Sequence, residues 1–344
     1  MIGFFNFKYL ITLLLFTISL ILIASYDEPI AINNKPGIPV LHNDSVVDEL
    51  LKPKDTKDKS KDKIVVGQRK LFVDPDSSAF IALRKANNKD KNKLSILANT
   101  PTGIWQSASS DINTFSTKIN QARKNNQIPI VVLYAVPNIG CGNSGKSSVE
   151  TYLQWLKQRA KVLDGTESIV ILEPDSVAMY YCLNSTQLAT RKSALNSAIS
   201  ELSKTDAKIY VDAGHSSWQG VDKMVSNLNT LNMGLADGIS VNVSNFQTNS
   251  SSEEYVLSIL DRLKNDKLTG VIDTSRNGNG PKDGQWCNPL GRKIGTKSVL
   301  NGNSRIAGYL WIKVPGESDG SGNDCNNGTK EGTFWQDYAL DLVP

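Results

Sequence analysis

Short runs of apolar, β-branched residues recur along the chain, each followed by a polar cluster, with stretches of helical spacing between the first five. Ile128-Pro-Ile-Val-Val-Leu-Tyr134 is the first. Ser168-Ile-Val-Ile-Leu172, Lys208-Ile-Tyr-Val211, Gly238-Ile-Ser-Val-Asn242, Gly270-Val-Ile-Asp273 and Ala307-Gly-Tyr-Leu-Trp-Ile312 follow. Unbroken apolar runs of this length predict strands buried on both faces. Between them, Val149 to Leu163, Thr186 to Leu202, Gly220 to Asn229 and Ser252 to Lys264 predict helices. Strands alternating with helices imply parallel βαβ units, which close into a barrel or spread as a doubly wound sheet. No Gly-rich phosphate loop follows an early strand, which argues against a dinucleotide site.

The polar clusters add a second regularity. Asn138 follows the first strand, Glu173 and Asp175 the second, and Asp212 and His215 the third. Asn242 and Asn245, then Asp273, Ser275 and Arg276, then Lys313, Glu317 and Asp319 continue the series. In a parallel α/β barrel these positions gather at the C-terminal face, where substrate sites are built.

The N-terminal part reads differently. Lys8 precedes an apolar run from Tyr9 to Ala24, which predicts a signal peptide or signal anchor over residues 1–25. Residues 26–65 hold four prolines (Pro29, Pro36, Pro39 and Pro53) and a Lys/Asp-rich tract, the composition of a disordered, charged stalk. The expected location is secreted or cell-surface, with anchoring as a type II membrane protein as the tethered alternative. The remainder, 66–344, has the size of one barrel domain.

Composition narrows the chemistry. Thirty-eight Lys+Arg against thirty-four Asp+Glu leave a net charge of +4, too weak a field to argue for nucleic acid. Only two histidines, His42 and His215, occur in 344 residues, so an imidazole-rich zinc or iron site is excluded and no metal or cofactor is expected. What the polar clusters offer is carboxylates, amides, one imidazole and nearby aromatics. That inventory suits a carbohydrate, whose hydroxyls need bidentate partners and whose faces stack on rings. Glycoside hydrolysis needs a protonated carboxyl beside the leaving oxygen and a second group handling water or the anomeric carbon. Asp175, after an apolar strand and two residues from Glu173, has both means of raising an acid's pKa. Glu173 itself is as well explained as a structural acceptor. A Ser/His/Asp triad from Asp212, His215 and the adjacent serines is disfavoured, because neighbours on one loop cannot take up that geometry.

Six ordered motifs carry a resemblance. Glu173-Pro-Asp-Ser176, Val211-Asp-Ala-Gly-His215, Asn242-Val-Ser-Asn-Phe246, Asp273-Thr-Ser-Arg-Asn-Gly278, Gln285-Trp-Cys-Asn-Pro289 and Trp311-Ile-Lys-Val-Pro-Gly-Glu-Ser-Asp319 resemble glycoside hydrolase family 6, the inverting endoglucanases and cellobiohydrolases. The resemblance implies a distorted, TIM-like parallel (β/α) barrel of about seven strands and a β-1,4-glucan substrate. It implies that Asp175 is the general acid and Asp319 the base or charge partner near the anomeric centre. By the same resemblance Tyr134 distorts the sugar ring, and His215, Asn245, Lys313 and Glu317 bind hydroxyls. Trp218 and Trp286 would be stacking platforms, with Asp212 and Arg276 a charged support beneath the acid. Partners beyond the glucan are not expected, and the chain is expected to be a monomer.

One departure stands out. The family pattern Tyr-x-x-Pro-x-Arg-Asp-Cys reads here Tyr134-Ala-Val-Pro-Asn-Ile-Gly-Cys141, so Ile139 and Gly140 replace an Arg and an Asp. In the family that Asp raises the acid's pKa and helps steer the attacking water. No carboxylate lies within residues 135–148 to take its place. One reading is a slow enzyme relying on Asp175, Asp319 and a water near Ser144; the other is a weak or inactive glucan-binding protein.

The four cysteines, Cys141, Cys182, Cys287 and Cys325, fit two disulfides in an oxidising compartment. Pairing 141–182 with 287–325 is one of three connectivities, and it would tie site loops together. Cellobiohydrolases of that family roof the cleft with two long loops, so by the same resemblance the short spans from Asp175 to Cys182 and from Asp319 to Cys325 imply an open groove and internal cleavage, with exo action as the alternative.

Overall fold

The computed structural model describes residues 70–141, 144–301 and 304–344. The export segment and stalk expected over residues 1–65 lie outside them. The described elements run α1 (Ser78–Lys85), α2 (Asn88–Ala98), β1 (Gly103–Ser107), α3 (Ile112–Lys124), β2 (Ile130–Tyr134), α4 (Val149–Leu163), β3 (Ser168–Leu172) and α5 (Ser185–Leu202). They continue β4 (Ala207–Asp212), α6 (Val221–Leu228), β5 (Gly238–Val241), α7 (Asn249–Leu263), β6 (Thr269–Asp273), β7 (Val299–Leu300), β8 (Ile306–Leu310) and α8 (Gln336–Leu342).

One curled sheet holds all eight strands in the order β1-β2-β3-β4-β5-β6-β8-β7. Only the two-residue β7 runs antiparallel, which leaves seven parallel strands. The sheet curls until its ends meet. Thr102 bridges Trp311 in parallel, and the Gly103 N–H donates to the Trp311 carbonyl at 3.0 Å. This seam needs glycine, because a Cβ at Gly103 would sit 2.3 Å from the Ile312 carbonyl oxygen. The expected distorted parallel barrel is thus the observed fold.

Strand parity explains why the runs are apolar throughout. Ile130, Val132, Ile169, Ile171, Tyr210, Val271 and Leu310 fill the barrel interior as one cluster. Their alternates Val131, Leu133, Val170, Leu172, Ile209, Val211 and Ile272 pack outward with apolar residues of α3 to α7. Both faces are dry, so each strand needs apolar side chains at every position. Each such side chain contributes about 1.5–3 kcal/mol on burial.

Helix ends follow local chemistry. The side chains of Ser148 and Thr151 form a reciprocal capping box at the start of α4, and those of Asn184 and Gln187 do the same for α5. The strand β1 and the helices α1 to α3 were not among the predicted elements. In β1, Gly103-Ile-Trp-Gln-Ser107 has no apolar run, because Gln106 and Ser107 interrupt it.

Candidate active site

The same parity that fills the barrel also builds the site. Continuing the inward-facing positions past the last interior apolar residues gives Tyr134 after Val132, Glu173 after Ile171, Asp212 after Tyr210 and Asp273 after Val271. Three of these are carboxylates with no solvent exposure beyond 1%. Each accepts hydrogen bonds from backbone N–H groups, although Glu173 Oε1 is buried without a partner among the described residues. Glu173 Oε2 accepts from Ala135 and Val136 at 2.8 and 3.0 Å. Asp212 Oδ2 accepts from Asp175 and Gly214 at 2.9 and 3.0 Å. Asp273 accepts from Ser244, Ser275, Ile312 and Lys313. These three carboxylates therefore clamp the backbone of the loops that follow the strands, including the loop of Asp175. Burial pushes Glu173 up to about 7 in spite of its two donors. Burial, and then the charge of Asp175, hold Asp212 well above the usual carboxylate range.

Asp175 is different. Its backbone is in the left-handed region at φ 69°, a conformation fixed by its N–H bond to Asp212. Among the described residues its carboxyl accepts no hydrogen bond. Burial pushes it up to about 6, opposed by the charge of Arg191. Asp319 has the opposite setting. Arg276 lies 2.7 Å from Oδ2 and Lys313 3.3 Å from Oδ1. The Asn288 N–H adds a bond at 3.0 Å, and the Asp319 N–H donates back to Asn288 Oδ1 at 2.7 Å. Burial works against its charge, but Arg276 and Lys313 prevail and hold it below the usual range.

Arg276 corrects an expectation. It does not lie with Asp212 beneath the acid. Its fully buried guanidinium pairs with Asp319, donates to the Ser244 carbonyl and covers the Phe246 ring at 4.5 Å. Asp212 alone of the two touches the Asp175 loop. The expectation came from the family resemblance; here the loop after β6 meets the loop after its sheet neighbour β8.

The remaining expected residues fall as follows. Tyr134 stands edge-on to Trp105 with centroids 5.8 Å apart, and burial raises its hydroxyl. His215 is neutral at pH 7, pushed down to about 4 by burial, and its Nδ1 is unpartnered among the described residues. Its ring lies 5.7 Å from that of Trp218. Asn245 donates to the Val243 carbonyl, which leaves its side-chain oxygen. Glu317 accepts from the Ser78 hydroxyl at 2.8 Å, and burial raises its carboxyl. Trp286 is 65% exposed, open to a flat ligand. Ser144 is exposed, and its hydroxyl closes its own turn by donating to the Ile139 carbonyl at 3.0 Å. Gly140 has φ 66°, and a Cβ there would meet nothing within 4 Å.

The cysteines pair 141–182 and 287–325, with Cα atoms 5.4 and 4.7 Å apart. The first ties the Gly140 turn to the Asp175 loop, and the second ties the Trp286 loop to the Asp319 loop. Sequence reading missed Trp105, Ser78, Asn288 and Arg191. Asn288 lay inside a quoted motif; its side chain donates to Ser318, Gly320 and Cys325 and braces the Asp319 turn. Arg191 had a legible signal, a cation on the apolar stripe of α5 with Ala194, Leu195, Ala198 and Ile199.

Fold and site together define a class: a parallel α/β barrel with two unlike carboxylates at the C-terminal ends of its strands, one bare and raised, one paired and lowered. The family description "Glycosyl hydrolases family 6" matches residues 66–344. Endoglucanase A of Cellulomonas fimi is 37% identical over 280 residues, covering 79% of this chain and 60% of that protein. Endoglucanase 1 of Streptomyces halstedii is 34% identical over 79% of this chain and 88% of its own length. The endoglucanase Cel6 from Mycobacterium tuberculosis, solved with a thio-linked cellobioside, superposes with a TM-score of 0.74 at 34% identity, over 81% of this chain and 97% of that one. The chain belongs to glycosyl hydrolase family 6. It spans about 60% of the length of the Cellulomonas relative.

Proposed function

We propose that this chain hydrolyses internal β-1,4-glucosidic bonds of cellulose or a related β-glucan with inversion, Asp175 acting as general acid. The observation that carries the reading is the contrast between the two carboxyls, since environments that push two pKa values apart mark acid and anion. Asp175, raised to about 6, keeps a proton to give to the leaving oxygen. As the glycosidic C–O bond breaks, positive charge grows on the ring and Asp319 stabilises it. Arg276 and Lys313 make Asp319 a weak base, so the attacking water loses its proton to neighbouring solvent. Tyr134 and Trp105 wall the sugar at the point of cleavage, Trp286 offers a stacking face, and His215, Asn245, Lys313 and Glu317 meet hydroxyls.

Internal cleavage is supported by the short site loops, each pinned by a disulfide, and by the endoglucanase names of the relatives. The test is release of reducing ends from a soluble cellulose derivative, with NMR of the first anomer formed. Initial β-anomer would rule out inversion. Export, with residues 1–25 as signal or anchor and 26–65 as tether, belongs to the same proposal, as does a monomeric state.

A second reading, glucan binding without turnover, is favoured by Gly140. Gly140→Asp separates the two. Aspartate tolerates the left-handed backbone better than most residues, and open space surrounds the Cβ position. We expect kcat to rise about tenfold, read as initial rate of reducing-end release. No gain, together with a wild type that binds oligosaccharide but never turns it over, would favour the binding protein.

A further inference from the structure

We propose that Arg191 is a positioning residue for the acid, locking the Asp175 loop against the Gly140 turn and supplying the one positive charge behind them. This rests on the reading of Asp175 as general acid.

Arg191 sits in the middle of α5 and is fully buried. A buried guanidinium is costly unless it is paired, and an apolar side chain of the same size would suit the stripe better. Yet among the described residues no carboxylate lies within ion-pair distance of it. Its two Nη groups instead donate to two carbonyls, Ser176 and Gly140, each at 3.0 Å. Ser176 follows the acid directly. Gly140 lies in the turn after β2 that has no charged side chain of its own at the site, since Ile139 and Gly140 are uncharged and Lys146 donates to the Ala108 carbonyl. The same two loops are joined a second time, near the surface, by the Cys141–Cys182 disulfide. One covalent tie outside and one cationic tie inside hold the acid's loop in register with the turn.

The charge also reaches the reacting group without touching it. Asp175 is faced by Asp212 from the end of β4, by Tyr134 from β2 and by Arg191 from α5, while Glu173 at the end of β3 acts on Tyr134 and Arg191. Tyr180 and Glu331 act on this set from its margin. Arg191 is the cation in that group, so it favours ionised Asp175. The acid must be protonated to act, and activity falls as pH rises through its pKa. Removing the cation raises that pKa, so the alkaline limb moves up.

The test compares Arg191→Met, Arg191→Lys and Asp175→Asn on a soluble cellulose derivative, with urea unfolding for each. For Arg191→Met we expect the alkaline limb of kcat/KM to rise by about one pH unit. We also expect kcat to fall about tenfold, with KM little changed. For Arg191→Lys, which keeps the charge but reaches fewer carbonyls, we expect the limb to stay while kcat falls several-fold. A folded Arg191→Met with wild-type kcat and an unmoved limb overturns the proposal. If that variant does not fold, Arg191→Lys decides: wild-type kcat overturns it. Asp175→Asn distinguishes the underlying reading. Its retaining activity removes the acid assignment; its losing activity while the Arg191 variants behave as wild type removes this inference alone.

Discussion

Asp175→Asn is expected to lower kcat on a cellulose derivative about a thousandfold. The substitution is close to isosteric, and asparagine accepts the left-handed backbone at φ 69°. The bond that holds the loop runs from the residue's own N–H to Asp212, so it survives. What goes is the transferable proton. The loss should therefore depend on the leaving group. A glycoside whose aryl leaving group departs without protonation should be cleaved by the variant at a rate much nearer the wild type. Equal loss on both substrates would mean that Asp175 acts by holding structure. For the wild type, kcat/KM should fall above about pH 6, the value set by burial of the carboxyl. A limb near pH 4 would say that solvent reaches the acid.

Asp319→Ala should be costly twice over. Arg276 is fully buried and Lys313 nearly so, and both point at this carboxylate. Removing it leaves two buried cations facing each other, a loss of about 3–5 kcal/mol in unfolding free energy. It also removes the anion opposite the developing positive charge, so turnover should be lost with it. The two effects separate in Asp319→Asn combined with Arg276→Met. That pair removes one cation with the anion and should recover most of the urea midpoint, while activity stays lost. Recovery of activity along with stability would make Asp319 a scaffold residue.

Much of this architecture was readable in the chain. Six apolar runs became β2, β3, β4, β5, β6 and β8, because strands buried on both faces need apolar side chains without interruption. Polar residues at the ends of those runs became the site for the same reason of parity: the interior position after the last apolar layer has nothing left to pack on. Elements held by contacts with distant chain were harder. β1 is short and polar, and it is a strand because its neighbour β2 and the seam to Trp311 make it one. Arg191 went unread although it lies on the apolar stripe of α5, because its partners, the carbonyls of Ser176 and Gly140, are on distant loops.

By itself the sequence determined the alternation of strands and helices, the polar ends of the strands and the absence of a carboxylate at Gly140. These are local properties, set by side-chain period and composition. The tertiary structure decided which carboxyl stands bare and which is paired, that Arg276 serves Asp319 instead of Asp212, and which cysteines join. Charge state and partnership depend on burial and on groups tens of residues away. The same aspartate side chain therefore has its pKa raised at 175 and lowered at 319 only when the barrel brings their neighbours to them.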